Sequence, residues 1–196
     1  MPTAQAIGDV AYMRAMPNFV VICPADAVEA EKATIAVAKR KGPVYIRLGR
    51  PAVKTIYDDS YKFEIGKASI VTEGNDAAII ASGIMVQESM AAAEMLRKEG
   101  INVRVINMST IKPIDKAAIL KAAKKTGMIV TCEDGLVNGL GGAVAEVLAE
   151  NYPTKLMRIG LDGFAESGSY KDLYKKYGLD ADGIARRAED FCAKAK

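Results

Sequence analysis

Short apolar, β-branched runs alternate with helix-like runs along the whole of this sequence, and that alternation most limits what the chain can fold into. The runs Asn18–Cys23 and Val103–Asn107 are typical of buried strands, and the stretch Met85–Lys98 has apolar residues at helical spacing. Strands that alternate with amphipathic helices indicate parallel sheets covered by helices. We therefore predict an α/β fold.

The first part of the chain has the pattern of a β-α-β unit. The strand Asn18–Cys23 is followed by Asp26, with Glu29 three residues later, which is the spacing of a capping box at the start of a helix. A second strand is predicted at Pro43–Leu48, and a short helix at Gln5–Arg14 precedes the unit. The sequence therefore predicts a small α/β body at the amino end.

Residues 51–63 lack apolar periodicity, which is typical of a linker. We divide the chain into a first body (residues 1–52), a linker (53–63) and a second body (64–196). The second body is predicted to hold a mostly parallel sheet of five strands: Ala68–Val71, Ala77–Ala81, Val103–Asn107, Met128–Cys132 and Lys155–Ile159. A turn at residues 73–76 joins the first two of these strands. Helices are predicted at Met85–Lys98, residues 115–125, Ala143–Glu150, Tyr170–Tyr177 and Asp182–Ala195.

Charge and cysteine content narrow the class of protein. The 27 basic and 24 acidic residues are interspersed, which argues against a nucleic-acid or anionic-membrane surface and leaves a phosphorylated small molecule open as a ligand. The apolar runs are far shorter than the roughly 20 residues of a membrane helix. The three cysteines form no CxxC pair, so neither a disulfide framework nor a zinc site is indicated. We expect a soluble protein of the reducing cytoplasm.

The chain contains no histidine, which excludes a histidine-based triad or metal site within it. Glu133 and Asp134 are paired carboxylates at a strand end, but neighbouring strand residues point to opposite faces, so capping of the next loop or an interface contact is favoured over acid–base chemistry. The glycines of Gly139–Gly142 precede a helix, yet their spacing does not fit a dinucleotide motif, and close helix–strand packing is favoured.

Five ordered segments resemble the transketolases, which use thiamine diphosphate. Two resemble the second half of the pyrimidine-binding domain: QAIGDVAYMRAMPNFVVICPADAVEAE (5–31) and VYIRLGRP (44–51). Three resemble the C-terminal domain: TIKPID (110–115), EDGLVNGLGGAVAE (133–146) and FAESGSYKDLYKKYGL (164–179). Deoxyxylulose-phosphate synthases and the β subunits of 2-oxoacid dehydrogenases share both domains and stay open as alternatives, as do a nucleotide-binding module and a non-catalytic partner protein.

The resemblance implies an incomplete pyrimidine-binding domain followed by a whole C-terminal domain, as in the second section of a split transketolase. Such an enzyme transfers a two-carbon ketol unit between sugar phosphates, using thiamine diphosphate and Mg²⁺. The family's activating glutamate is expected upstream of Met1, and the diphosphate and Mg²⁺ ligands in a separate N-terminal section. We therefore expect a scaffold and assembly role, no cofactor binding or turnover by this chain alone, and a homodimer or heterotetramer.

The resemblance also implies two substrate contacts. Arg50 aligns with the family arginine that binds the sugar phosphate, and a guanidinium fork matches phosphate oxygens. Thr3 falls in a segment that the family writes D-G-P-T-H-Q, in which Ala4 stands here in place of the histidine. For Arg50 an ordinary solvated or ion-paired strand-end charge is the competing interpretation, and Arg47 is expected to be structural.

Overall fold

The computed structural model describes residues 6–194, which form two β-sheets and their covering helices. The elements are α1 (Asp9–Ala15), β1 (Val20–Ile22), α2 (Ala27–Ala38), β2 (Val44–Ile46), β3 (Ser69–Thr72), β4 (Ala77–Ala81), α3 (Met85–Lys98), β5 (Val103–Asn107), β6 (Thr110–Lys112), α4 (Lys116–Thr126), β7 (Met128–Leu136), α5 (Leu140–Asn151), β8 (Lys155–Leu161), α6 (Tyr170–Tyr177) and α7 (Ala181–Ala193).

The larger sheet has five strands in the order β3-β5-β4-β7-β8. Strands β5, β4, β7 and β8 are parallel, and only β3 runs antiparallel to its neighbour β5. This confirms the mostly parallel five-stranded sheet expected from the sequence. Strands β3 and β4 follow one another in the chain, but β5 lies between them in the sheet. The central strand β4 is buried along its whole length because helices cover both of its faces.

The smaller sheet has three strands in the order β2-β1-β6. Strand β1 pairs in parallel with β2, as a β-α-β unit requires, and antiparallel with β6. Strand β6 comes from the second body and was not predicted, because three residues are too few to show a period. The small sheet is therefore completed by a segment far along the chain.

The helix caps follow the sequence signals. The Asp26 carboxylate accepts from the Glu29 amide at 2.8 Å, which confirms the predicted cap at the start of α2. The Glu29 carboxylate accepts from the Ala25 amide at 2.8 Å, one residue before the Asp26 amide that a capping box requires. Asp115 accepts from the Ala118 amide at 3.0 Å and caps α4. Helix α4 ends at Gly127, whose φ of 68° is in the left-handed region that favours glycine.

The two sheets share a core. Val21 and Cys23 of the first body pack in one apolar cluster with Ala78 and Ile80 of β4. The stretch at residues 53–63 contains neither helix nor strand, but it is fixed to the first body by hydrogen bonds to Asp26 and Glu29. The division at residues 53–63 stays a prediction. Among residues 6–194, no helix combines the length and the apolar character needed to span a bilayer.

Candidate functional site

A cleft of about 870 Å³ opens where β2 ends, and it is bounded by both bodies. The first body contributes α1 and the segment that follows β2, and the second contributes the end of β7 and the start of α6. The polar side chains in its lining are Asp9, Tyr45, Arg47, Arg50, Asp134, Ser169, Tyr170 and Tyr174. Ligands of open α/β sheets are usually bound outside the carboxyl ends of parallel strands, which is where this cleft lies.

Arg50 lies in the lining of this cleft, four residues beyond the end of β2. The residue is exposed, and among residues 6–194 its side chain has no hydrogen bond or ion pair. Its guanidinium is thus available to an anion that enters the cleft. Thr3, the other expected substrate contact, and Ala4 lie outside the described residues.

Arg47, in contrast, is fully engaged. Its Nε donates to Asp9 Oδ2 at 3.1 Å, and its Nη1 donates to Asp134 Oδ1 at 2.5 Å. Its Nη2 also donates to the Asp134 carbonyl at 3.3 Å. The side chain is only 18% exposed, so two carboxylates from separate elements neutralise it largely out of water. The structural role expected for Arg47 is confirmed.

Two tyrosines extend this ion pair. Tyr45 Oη donates to Asp9 Oδ2 at 2.6 Å, and Tyr174 Oη of α6 donates to Asp134 Oδ2 at 3.2 Å. Burial, helped by the bond to Asp9, raises the pKa of Tyr45 to about 12. Burial, followed by the charge of Asp134, also raises the pKa of Tyr174. Both hydroxyls therefore keep their protons at neutral pH.

Glu133 and Asp134 point to different surroundings, as the strand alternation predicts. Glu133 accepts from the amides of Leu140 and Gly141 at 2.9 and 2.8 Å and so caps α5. Its burial raises its pKa to about 7 in spite of these two bonds. The carboxylate occupies two of the amides that a phosphate at this helix start would need, which argues against a nucleotide site here.

The glycines before α5 serve close packing, as expected. A Cβ at Gly139 would lie 2.3 Å from the Glu133 carboxylate, and one at Gly141 would lie 2.9 Å from the Arg158 side chain. Only glycine therefore lets the helix start approach the end of β7. Cys132, beside this cap, is buried, and burial raises its pKa to about 12, so the thiol is not activated.

The described residues do not fit the diphosphate and metal part of thiamine diphosphate. Residues 6–194 hold no group of three acidic or cysteine side chains placed to ligate a metal ion. The start of α5, which could meet a diphosphate, is taken by Glu133. No step through this cofactor is derived from the present residues.

Sequence reasoning did not assign Asp9, Tyr45 and Tyr174 to the cleft. They lie on separate elements, and a tyrosine or aspartate on the polar side of a short helix or strand looks like any solvated residue. One signal was present for Arg47: a charged residue within the apolar strand pattern VYIRL requires a partner once the strand is buried.

Two family models match the chain. Residues 1–55 match the model described as "Transketolase, pyrimidine binding domain", and residues 66–184 match "Transketolase, C-terminal domain". The second match alone covers more than half of the 196 residues. Strand β6, which completes the small sheet, lies within this second match.

Individual relatives agree with these matches. The 6-deoxy-6-sulfo-D-fructose transketolase subunit of Clostridium sp. is 44% identical over 191 residues, which are 96% of this chain and 59% of that subunit. The 1-deoxy-D-xylulose-5-phosphate synthase of Syntrophotalea carbinolica is 36% identical over 195 residues, covering 97% of this chain and 31% of that enzyme. The chain thus spans less than two thirds of the length of each of these relatives.

A solved structure is also similar. It is a split-gene transketolase described as an inactive β4 tetramer, and it aligns with a TM-score of 0.93 at 40% identity. The alignment covers 96% of this chain and 63% of that one.

Proposed function

Because the chain belongs to the transketolase family, we propose that it acts as the C-terminal part of a transketolase made of two sections. Joined to a diphosphate-binding section, it serves transfer of a two-carbon ketol unit between sugar phosphates. The names of the similar transketolase subunit and of the split-gene neighbour support a two-section enzyme.

One observation carries the role of this chain within that enzyme: Arg50 lies in a cleft large enough for a sugar phosphate, and its guanidinium has no partner among residues 6–194. A pocket for a small metabolite needs a few hundred Å³ or more, and the volume here is about 870 Å³. Arg47 cannot fill this role because Asp9 and Asp134 already bind it. We assign the substrate phosphate to Arg50 and propose Thr3 as a second substrate contact.

The cofactor, when bound in the complete enzyme, supplies the electron sink for the carbanion formed during ketol transfer. The residues of this chain bind and orient. A bidentate contact from Arg50 to a phosphate fixes one end of the sugar, and a fixed end places the other end for reaction.

On its own, this chain is expected neither to turn over sugar phosphates nor to bind thiamine diphosphate with Mg²⁺ at micromolar concentration. We also propose that the chain forms a homodimer or heterotetramer in the cytoplasm, where a reducing environment keeps thiols such as its three free cysteines reduced. Calorimetric titration of the purified chain with thiamine diphosphate and Mg²⁺ tests this part. Micromolar binding contradicts it.

A second candidate rests on the similar 1-deoxy-D-xylulose-5-phosphate synthase, which keeps formation of that product open. Identification of the products that the complete enzyme makes separates the two candidates. We expect the products of ketol transfer between sugar phosphates and no 1-deoxy-D-xylulose 5-phosphate.

Arg50→Ala tests the assigned contact in the complete enzyme. We expect kcat/KM for phosphorylated sugars to fall by roughly 10- to 150-fold, which corresponds to the 1.5–3 kcal/mol of a hydrogen bond to a charged group, while unphosphorylated analogues are nearly unaffected. Arg186→Ala is the matched control, since Arg186 is exposed on α7 and does not line the cleft. Equal losses on both substrate types contradict the assignment.

A further inference from the structure

Five side chains form a connected network on the wall of the cleft, and we call them the latch: Asp9, Tyr45, Arg47, Asp134 and Tyr174. Every bond in the latch goes to Asp9 or Asp134, with Arg47 between them. The members come from α1, the end of β2, the end of β7 and α6. The latch therefore joins the two bodies through one guanidinium.

The main chain at Arg47 is held as well, close to Arg50. The Arg47 amide donates to the Ile22 carbonyl at 2.8 Å, which continues the β1–β2 pairing by one residue. From that fixed point the chain reaches Arg50 in three residues, a span of at most about 10 Å. Leu48, between them, is 67% exposed and adds little packing of its own. The position of the Arg50 guanidinium thus depends on the Arg47 anchor.

The charges of the latch give Arg47 and Arg50 different roles. Two carboxylates face one guanidinium, so Arg47 has no charge left to attract an anion, and the wall around it is formally negative. Tyr45 and Tyr174 each donate to one oxygen of these carboxylates, while Asp9 Oδ1 is buried without a partner among the described residues. An anion is directed away from this wall and toward Arg50.

On the basis of the proposed function, we infer that Arg47 is a positioning residue for the phosphate-binding Arg50, and that Tyr174 links helix α6 to this role. Arg47 holds the end of β2 against Asp9 and Asp134, and the held strand end places the Arg50 side chain in the cleft. Helix α6 of the second body thereby contributes to substrate affinity through a hydroxyl that has no need to touch the substrate.

The test is a double-mutant cycle on the intact chain, with inorganic phosphate and ribose 5-phosphate as probes. Binding is followed by the backbone amide NMR signals of residues 48–50. Arg50→Ala is expected to weaken binding of both probes by about tenfold or more. Arg47→Lys keeps the charge but cannot bridge two carboxylates with a fixed fork, so it is expected to weaken binding by about threefold or more.

The decisive comparison is Arg47→Lys made in the Arg50→Ala background, where no further loss is expected because the residue being positioned is gone. Tyr174→Phe is the milder variant, with an expected loss of about twofold and the same dependence on Arg50. Tyr177→Phe, three residues later on α6, is its control, since Tyr177 is outside the latch. Tyr174→Phe decides the matter alone if Arg47→Lys does not fold.

Equal losses in both backgrounds, or unchanged binding in Arg47→Lys and Tyr174→Phe, overturn the inference and leave Arg50 as the anion contact. Unchanged binding in Arg50→Ala overturns the proposed phosphate site and the inference with it. The two failures are therefore distinguishable.

Discussion

The five-stranded sheet and the three-stranded sheet differ in how far polar contacts add to their apolar packing. The large sheet is buried between helices, and its central strand β4 is entirely apolar. The small sheet has strands of three residues, of which β1 is also buried in apolar clusters. Buried and part-buried polar groups, among them Glu29, Arg47 and Asp134, add further bonds to its surroundings. Apolar packing therefore holds both sheets, and the small sheet depends in addition on directional bonds at the strand end that leads to Arg50.

Glu29, on helix α2 beside the small sheet, is the most buried of these polar groups. Its carboxylate is 0% exposed and accepts from the Ala25 amide, the Asn107 side chain and the Tyr61 hydroxyl, at 2.7–3.0 Å. Glu29→Ala leaves these donors buried without an acceptor and opens a void. We expect the free energy of unfolding to fall by about 3–5 kcal/mol in urea titrations.

The matched control is Glu31→Ala, two residues later on α2 and exposed. Its effect is expected to lie within about 0.5 kcal/mol. If Glu29→Ala also changes the free energy of unfolding by no more than about 0.5 kcal/mol, apolar packing alone holds the first body. The small sheet then does not depend on polar bonds more than the large sheet does.

Glu133 is a buried carboxylate of the large sheet, as Glu29 is beside the small one. It accepts from the backbone amides of Leu140 and Gly141 at the start of α5. Its pKa is about 7 in the folded chain against an ordinary value of 4.5. Between these values the folded chain keeps a proton that the unfolded chain has released, so this group favours folding at low pH, and the contribution disappears as the pH rises through 7.

Relative to Glu133→Gln, which does not titrate, the wild-type chain is therefore expected to lose about 1–3 kcal/mol of unfolding free energy between pH 5 and pH 8. Urea unfolding of both proteins at the two pH values measures this. If the difference in unfolding free energy between the two proteins does not change with pH, the two amide bonds cancel the effect of burial on the pKa of Glu133.

Tyr57 tests the smallest effect, the attachment of the predicted linker to strands β3 and β5 of the large sheet. Its hydroxyl lies 2.5 Å from the Ser69 hydroxyl and 2.8 Å from the Asn107 amide nitrogen, and its ring stacks on Tyr61. Tyr57→Phe keeps the stacking and removes the bonds, so thermal or urea unfolding should show a loss of about 0.5–1.5 kcal/mol.

Tyr152→Phe, on a partly exposed ring that follows α5, is the control for this change. If the two variants lose the same free energy of unfolding, the segment at residues 53–63 is a linker that is not fixed to the sheets, as the sequence pattern alone indicates. If only Tyr57→Phe is destabilised, the segment is fixed to the large sheet.

The same contrast explains what the sequence can predict. The strands of the large sheet and helices such as Met85–Lys98 and Tyr170–Tyr177 were found because their periodicity is local. Strand β6 pairs with residues more than 80 positions away, and the bonds of the latch join residues 36 to 87 positions apart. Local patterns carry no information about such pairs. Arg50 was singled out by its resemblance to a family motif, whereas the partners of Arg47 became visible only in three dimensions.

The central claim is that this chain is one section of a two-section transketolase and contributes Arg50 to it. The most direct measurement is ketol transfer from a ketose phosphate to an aldose phosphate, with the chain alone, with a diphosphate-binding section from a split-gene relative alone, and with both mixed. We predict turnover only in the mixture, and its loss toward phosphorylated acceptors when Arg50→Ala replaces the wild-type chain. Turnover by this chain alone, or a mixture indifferent to Arg50→Ala, contradicts the claim.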